Sequence, residues 1–188
     1  MRAIRRHILV ATLIGAVFGS AVAWAQMPAD SKFIQNIRRN EVNEIMSYLV
    51  NGNSPNVYDQ DTTPALVIAA RTNNASIVRS LLEYNASPDI YDRDNGETAL
   101  MAGASRGDED VVALLILSNA DIDKPDDGGE TALVKAVRAG NLPVIRMLIA
   151  AGADVELGDY AGLTPRDHAL RARGRRVVQA FDEAVEAR

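Results

Sequence analysis

The pentapeptide Gly-Glu-Thr-Ala-Leu occupies residues 96–100 and recurs unchanged at residues 129–133, and a related Gly-Leu-Thr-Pro follows at residues 162–165. Each copy begins 33 residues after the one before it. A fixed period between about 20 and 50 residues is typical of repeat proteins, in which each unit buries its apolar face against a neighbouring unit. The chain is therefore predicted to be a stack of copies of one module.

The similarity extends through the whole period. Each threonine is followed by a leucine, a glycine, two β-branched residues, two further apolar residues and a tripeptide that ends in Ala-Asp. In two units these are Leu100, Gly107, Val111-Val112, Leu114-Leu115 and Asn119-Ala120-Asp121, and then Leu133, Gly140, Val144-Ile145, Met147-Leu148 and Gly152-Ala153-Asp154. From Phe33 onwards we count five units, at residues 33–58, 59–91, 92–125, 126–158 and 159–188, and the first and last are degenerate.

Each period predicts two short helices. Thr164-Pro165 combines an N-cap hydroxyl with a proline at the first helical position, and Thr98 and Thr131 begin the equivalent helices. These first helices are expected to end near Gly107 and Gly140. The second helices are expected over residues 110–118 and 143–151. They end at residues that readily adopt the left-handed conformation, namely Gly52, Asn85, Asn119 and Gly152.

With these features the chain resembles the ankyrin repeat family over nearly all of residues 33–184. The resemblance implies an all-α solenoid of about five helix–turn–helix repeats, with hairpin-like fingers around Asp59, Asp92, Asp126 and Asp159. It also implies a concave groove between the fingers and the first helices, where ankyrin proteins usually bind protein partners. The family's histidine after Thr-Pro-Leu is replaced here by Val67, Met101, Val134 and Asp167. An extra residue between Asp92 and Gly96 predicts an irregular finger.

The first 25 residues have the pattern of a secretory signal peptide. Arg2, Arg5 and Arg6 precede an uncharged stretch over residues 8–25, which ends in Ala-Trp-Ala at residues 23–25. We expect cleavage after Ala25, a linker over residues 26–32, and a periplasmic or secreted protein. An uncleaved membrane anchor is the alternative interpretation, since 18 uncharged residues barely span a bilayer. The arginine pair leaves open whether export is by a general or a twin-arginine route.

Composition restricts the function further. The chain has no cysteine, so the exported domain is held by packing rather than by disulfides. Removing three arginines and no acid with the signal peptide changes the formal net charge from −5 to −8. An acidic domain is not expected to bind nucleic acid, and no membrane contact is expected after cleavage. On its own the protein is expected to be a monomer.

Residues for catalysis are scarce. His168 is the one imidazole outside the signal peptide, and we expect it on a partly exposed surface, so no catalytic group, cofactor or metal site is predicted. Asp121, Asp123, Asp126 and Asp127 could form a weak cation site in exposed fingers. Counting from Asp121, however, the twelfth position, where a calcium-binding EF-hand needs a bidentate acid, is Ala132. A metal-dependent enzyme or metal binder is therefore the alternative to a binding module, and a self-associating structural array is another.

One row of residues favours partner binding. The two positions before the glycine that ends the first helix supply at least one arginine in every unit: Arg38, Arg39, Arg71, Arg106, Arg138 and Arg171. Finger positions add Tyr58, Tyr91, Tyr160, Asp94 and Asp127. Arginine and tyrosine often anchor interfaces, so this surface is the predicted binding site of an adaptor, protective or inhibitory subunit. Local pairing of the arginines with finger aspartates is the other interpretation.

Overall fold

A computed structural model describes residues 27–171 and 175–188. It contains ten α-helices in five pairs: α1 (Ala29–Arg38) and α2 (Val42–Val50), α3 (Ala65–Arg71) and α4 (Ala75–Glu83), α5 (Ala99–Arg106) and α6 (Glu109–Leu117), α7 (Ala132–Ala139) and α8 (Leu142–Ala150), α9 (Pro165–Arg171) and α10 (Arg175–Glu186). The predicted all-α architecture is confirmed. The predicted signal peptide lies outside the described residues, and α1 begins at Ala29, within the stretch assigned to the linker.

Threonine side chains begin the first helices as expected. The hydroxyl of Thr98 accepts the backbone N–H of Met101 at 3.3 Å, and that of Thr131 accepts the N–H of Val134 at 3.5 Å. The two helices end at Gly107 and Gly140, which have φ of 74° and 73°. Because a residue with a Cβ atom is strained in this left-handed region, glycine allows the chain to turn directly into the second helix.

The second helices also end in the predicted conformation. The residues at these ends all have positive φ: Gly52 at 81°, Asn85 at 66°, Asn119 at 58° and Gly152 at 102°. The backbone N–H of Ala86 donates to the carbonyl of Leu81 at 2.9 Å, which completes the hydrogen bonding of that helix end. Helices α6 and α8 begin and end one residue earlier than predicted.

The core runs through all five helix pairs. Helices α3, α5, α7 and α9 pack side by side, as do α4, α6, α8 and α10. Leu66, Leu100 and Leu133, which occupy the same position in successive first helices, are each at most 1% exposed. Burial of such a side chain contributes about 1.5 to 3 kcal/mol. No helix among the described residues is long and apolar enough to cross a membrane.

Apolar side chains replace the family's histidine in the three central repeats. Val67, Met101 and Val134 are at most 1% exposed, so they bury apolar surface at that position. In the last repeat, Asp167 accepts hydrogen bonds from the hydroxyl and backbone N–H of Thr164 at 2.8 and 3.0 Å. Thr164 in turn accepts the backbone N–H of Asp167 at 3.2 Å, so the pair caps the start of α9.

Four fingers connect the repeats, and each is a tight turn that begins at an aspartate. The backbone N–H of this aspartate donates to the residue that closes the turn: Asp59 to Thr63, Asp126 to Glu130, Asp159 to Leu163, and Asp92 to Glu97. The turn of the second finger, from Asp92 to Glu97, contains one residue more than the others, which confirms the predicted irregular finger. Neighbouring fingers are also joined by backbone bonds, for example from Tyr160 to Gly128 at 3.1 Å.

The first finger contains a strained residue. Thr62 has φ of 60°, whereas the same turn position is Gly96, Gly129 and Gly162 in the other fingers. Left-handed backbone costs a β-branched residue about 1 kcal/mol or more, and asparagine tolerates it better. We therefore expect Thr62→Asn to stabilise the protein by about 0.5 to 1 kcal/mol, measured as a higher unfolding temperature.

The matched control for this change is Thr62→Val. Valine keeps the β-branch, and so the strain, and it loses the hydroxyl that donates to Asp94 at 3.1 Å. The unfolding temperature of this variant should not rise. An equal rise in both variants would show that the backbone at Thr62 is not the source of the effect.

Candidate functional site

The four aspartates that begin the fingers are here called the finger-base aspartates, and their carboxylates make the same kinds of hydrogen bond. One carboxylate oxygen accepts backbone N–H groups of the turn, as in Asp126, where Oδ1 accepts from Gly128 and Glu130 at 2.8 Å each. Asp159 does the same with Ala161 and Leu163 at 2.9 Å. Each of these carboxylates therefore holds its own turn closed with one oxygen. The other oxygen faces a neighbouring basic side chain.

A different basic side chain faces that oxygen in each finger. Asp59 pairs with Arg38, Asp92 with Arg71 at 3.0 Å, Asp126 with Lys135 at 2.6 Å, and Asp159 with His168 at 2.9 Å. The side chains of these four aspartates are at most 10% exposed. Of the aspartates expected in exposed fingers, Asp126 is therefore a correction, because it closes its own turn and pairs with Lys135, whereas Asp121 and Asp127 are exposed.

The identity of the cation follows from the sequence of the preceding repeat. Arg38 and Arg71 lie at the end of a first helix and reach forward to the next finger. The third repeat has Ser105 at this position, so no arginine reaches Asp126, and Lys135 from the fourth repeat takes that place. Charge neutralisation is thus kept although the donor changes.

Two glutamates complete the network. Glu97 pairs with Arg71, and Glu130 pairs with Arg138 and, at 2.6 Å, with Lys135. Burial lowers the pKa of Lys135, but its bonds to Asp126 and Glu130 outweigh burial, and the pKa lies above the usual value. Lys135 is therefore held as a cation and is not suited to act as a general base. Neither glutamate was predicted as a site residue, although each belongs to the repeated pentapeptide.

One group of described residues has the side chains of a metal site. Oxygens of Glu130 and Asp159 and a ring nitrogen of His168 lie within 4.8 Å of one another. Each is already bonded within the protein: Glu130 to Lys135 and Arg138, and Asp159 to His168. A metal ion would have to break these bonds, so the arrangement favours a structural role. The His168 side chain is 11% exposed, which corrects its expected place on the surface.

Side chains three positions before the finger-base aspartates also connect repeats. Oδ1 of Asp89 accepts the backbone N–H of Asp121 at 2.7 Å, and Oδ1 of Asp123 accepts that of Asp154 at 2.8 Å. Between the first and the second repeat, Oδ1 of Asn56 accepts the backbone N–H of Ser87 in the same way. These side chains recur because each binds the backbone of the following repeat.

The predicted arginine row is placed at the ends of the first helices, and its members differ in their contacts. Arg38, Arg71 and Arg138 are bonded to finger carboxylates, yet their side chains remain 42%, 39% and 55% exposed. Arg171 is exposed near Asp167, and Arg39 is exposed too. Arg106, in the central repeat, is exposed and has no partner among residues 27–171 and 175–188. Partner binding and local pairing with finger carboxylates are therefore both compatible with these contacts. Partner binding by these residues stays a prediction.

Three of the predicted finger residues meet in one cavity. Tyr91, Asp127 and Tyr160 line a space of about 350 Å³ together with Gly96, Lys124, Pro125 and Asp126. The rings of Tyr91 and Tyr160 are 46% and 74% exposed, and Nζ of Lys124 lies 4.9 Å from the ring centre of Tyr91. Exposed aromatic rings beside charged groups provide rigid contact area for a protein partner.

The two other predicted finger residues lie outside this cavity. Arg93 of the second finger covers the ring of Tyr58 of the first, at 4.2 Å from guanidinium carbon to ring centre. Asp94 is exposed and accepts the hydroxyl of Thr62. These contacts connect the first two fingers, so Tyr58 has an intramolecular role that the sequence did not reveal.

Acidification should unfold the last repeat before the other repeats. The pKa of Asp159 is lowered from 3.8 by the backbone N–H of Leu163 and by His168, and that of Asp182 is lowered by Arg166. A carboxylate whose pKa is depressed by folding stabilises the fold above its unfolded-state pKa, and this stabilisation disappears as the pH falls through the folded-state value. Below about pH 4, amide hydrogen exchange should therefore rise in α9 and α10 before it rises elsewhere.

Asp182→Asn is the control for acid release. This variant cannot lose a charge at residue 182 on acidification, so the pH dependence of exchange in α10 should become shallower. Exchange that rises at the same pH in all five repeats would contradict the assignment of acid sensitivity to the last one.

Comparison with known proteins agrees with this geometry. The family model described as ankyrin repeats (3 copies) matches residues 34–126 and, in an overlapping second match, residues 104–181. Comparison with curated proteins gives no match. Together the two matches span residues 34–181, which include the four fingers and helices α2 to α9. Ankyrin repeats are in general modules of protein–protein interaction, and this chain belongs to the ankyrin repeat family.

Proposed function

We propose that this protein is exported to the periplasm or the cell exterior and binds a protein partner between its fingers and its first helices, without catalysing a reaction. The observation that carries the proposal is the arginine row. Its paired and half-exposed side chains flank Arg106 of the central repeat, which has no partner in the part of the chain that the structure describes. Arginines held by carboxylates are already positioned, so less conformational entropy is lost when they bind.

The charges of this surface define what a partner should present. Acidic side chains of the partner would pair with Arg106 and with the free N–H groups of its neighbours, and an apolar or cationic side chain would enter the cavity beside Tyr160. Such a partner could be inhibited, protected or tethered by the contact. The network of paired finger carboxylates supports a binding role, since it offers no free carboxylate pair for acid and base chemistry.

Affinity capture from the envelope fraction of the native cell, followed by mass spectrometry, tests this proposal. We expect Arg106→Glu and Tyr160→Ala each to reduce the amount of captured partner about tenfold, because exposed arginine and tyrosine residues at interface centres contribute most to binding. Neither residue is part of the core, so the unfolding temperatures should stay unchanged.

Arg79→Glu is the matched control, since Arg79 is an exposed arginine on the second helix α4, away from the fingers. This variant should capture the partner as the unchanged protein does. If Arg106→Glu and Tyr160→Ala both keep full capture, the groove and the finger cavity are not the binding surface.

Export has its own test. The intact mass of the protein purified from the producing cells should correspond to a chain that begins at Gln26, because the Ala-Trp-Ala sequence at residues 23–25 fits a signal peptidase site. A mass that includes residues 1–25 would instead support a retained anchor.

A further inference from the structure

Helices α9 and α10 carry an apolar surface that no other described residue covers. Leu170 of α9 is 51% exposed, whereas the residues at the same position of earlier first helices, Ala70, Ala104 and Val137, are completely buried. Val178 of α10 is only half-buried, whereas its equivalents Val78, Val112 and Ile145 are also completely buried. In the earlier units another repeat follows, so we expect this surface to suit a further pair of helices.

A groove of about 530 Å³ lies on this surface. It is lined by Leu170 and by one face of α10 formed by Arg175, Val178, Gln179, Asp182, Glu183 and Glu186. The polar residues in the middle of this face are already paired: Asp182 with Arg166 at 2.9 Å, and Glu183 with Gln179 at 2.8 Å. Arg175 and Glu186 at its two ends have no partner among the described residues.

The charges at the two ends of this face are opposite. Arg175 and Glu186 are separated by three turns of helix, or about 16 Å along the axis. A second α10 that packs antiparallel would place its Glu186 beside Arg175 and its Arg175 beside Glu186, so two equal ion pairs would form. Antiparallel packing also brings each helix end near the opposite dipole end of its neighbour. A two-fold axis is the commonest symmetry by which one surface complements itself.

We infer that the open end of the last repeat is a self-association surface, where α10 of one copy packs antiparallel against α10 of a second copy and covers Leu170 and Val178. This inference differs from the monomer expected from the sequence. The surface shares no residue with the arginine row or the finger cavity, so a dimer would present two binding grooves. Two grooves on one particle increase the apparent affinity for a partner that has two binding sites.

Sedimentation velocity of the protein purified from the producing cells tests this inference. We expect a dimer that dissociates on dilution. Arg175→Glu and Glu186→Arg should each raise the dissociation constant at least about tenfold, because each creates two repulsive pairs. The double variant Arg175→Glu/Glu186→Arg restores opposite charges across the two-fold axis and should recover dimerisation.

Two further variants examine the apolar contact. Leu170→Ser should weaken the dimer, and Leu117→Ser should not, because Leu117 is 79% exposed on α6 and lies outside the groove. Circular dichroism of each variant checks that its helices are intact. The inference is overturned if the protein is a monomer at all concentrations, if it grows beyond a dimer, or if the double variant fails to recover what both single variants lose.

Discussion

Leu133→Ala is expected to lower the free energy of unfolding by about 3 kcal/mol. Leu133 is completely buried in α7, which packs between α5 and α9. Truncation to alanine loses the transfer free energy of the removed methyl groups and leaves a cavity, and such changes cost about 2 to 5 kcal/mol. The rigid helices on both sides cannot collapse into the space, so a value in the middle of this range is expected.

The location of Leu133 determines how this loss should be observed. In a repeat protein the stability is close to a sum of the repeats and the interfaces between neighbours. With a weakened fourth repeat, the last repeat should therefore no longer unfold cooperatively with the first three. Denaturant unfolding followed by circular dichroism should become broader or show two steps. Hydrogen exchange should rise in α7 to α10 before it rises in α3 to α6.

Leu117→Ala is the control for this prediction. The same side chain is removed, but from a position that is 79% exposed, so the change should stay within about 0.5 kcal/mol. If both variants lose similar stability, the loss does not come from the core, and helix propensity would have to explain it.

The second large effect is expected at Gly129, the tip of the third finger. Its φ is 80°, and a Cβ atom placed there would lie 2.6 Å from the backbone nitrogen of Tyr160 and 2.7 Å from its ring. Gly129→Ala therefore combines left-handed strain with a steric clash that the backbone of the next finger has to relieve. We expect a loss of about 2 to 4 kcal/mol in unfolding free energy.

The next finger provides a matched control. Gly162 has φ of 78°, and no other described heavy atom lies within 4 Å of the Cβ that alanine would add. Gly162→Ala should therefore cost only the backbone strain, about 1 kcal/mol. In Gly129→Ala the amide of Tyr160 should also exchange faster, because its bond to Gly128 is disturbed. Equal losses in the two variants would show that close approach of the fingers is unimportant.

The repeat architecture could be predicted in detail because its signals are local. Thr98 and Thr131 mark helix starts, and Gly107 and Gly140 mark helix ends, through the conformations that single residues allow. Even the irregular second finger follows from counting residues between Asp92 and Gly96. Partner binding, export and the limits of the domains stay predictions, since they concern molecules and residues outside the described fold.

The candidate site was only partly predictable. The arginine row was found from its period, but the pairing of Arg71 with Glu97 joins residues that are 26 positions apart. Whether a given carboxylate pairs with an arginine, a lysine or a histidine depends on which side chain reaches it across two repeats. The expected solvation of Asp126 was wrong for the same reason, since its local sequence resembles an exposed turn.

The sequence alone determined the number of helix pairs, their approximate positions and the left-handed turns, because backbone stereochemistry and apolar periodicity act within a single module. Only the tertiary structure decided which charges are neutralised, that Arg106 lacks a partner among the described residues, and that Leu170 is exposed on α9. Those properties depend on distances between side chains of different repeats, and electrostatic pairing and burial are set by such distances rather than by neighbours along the chain.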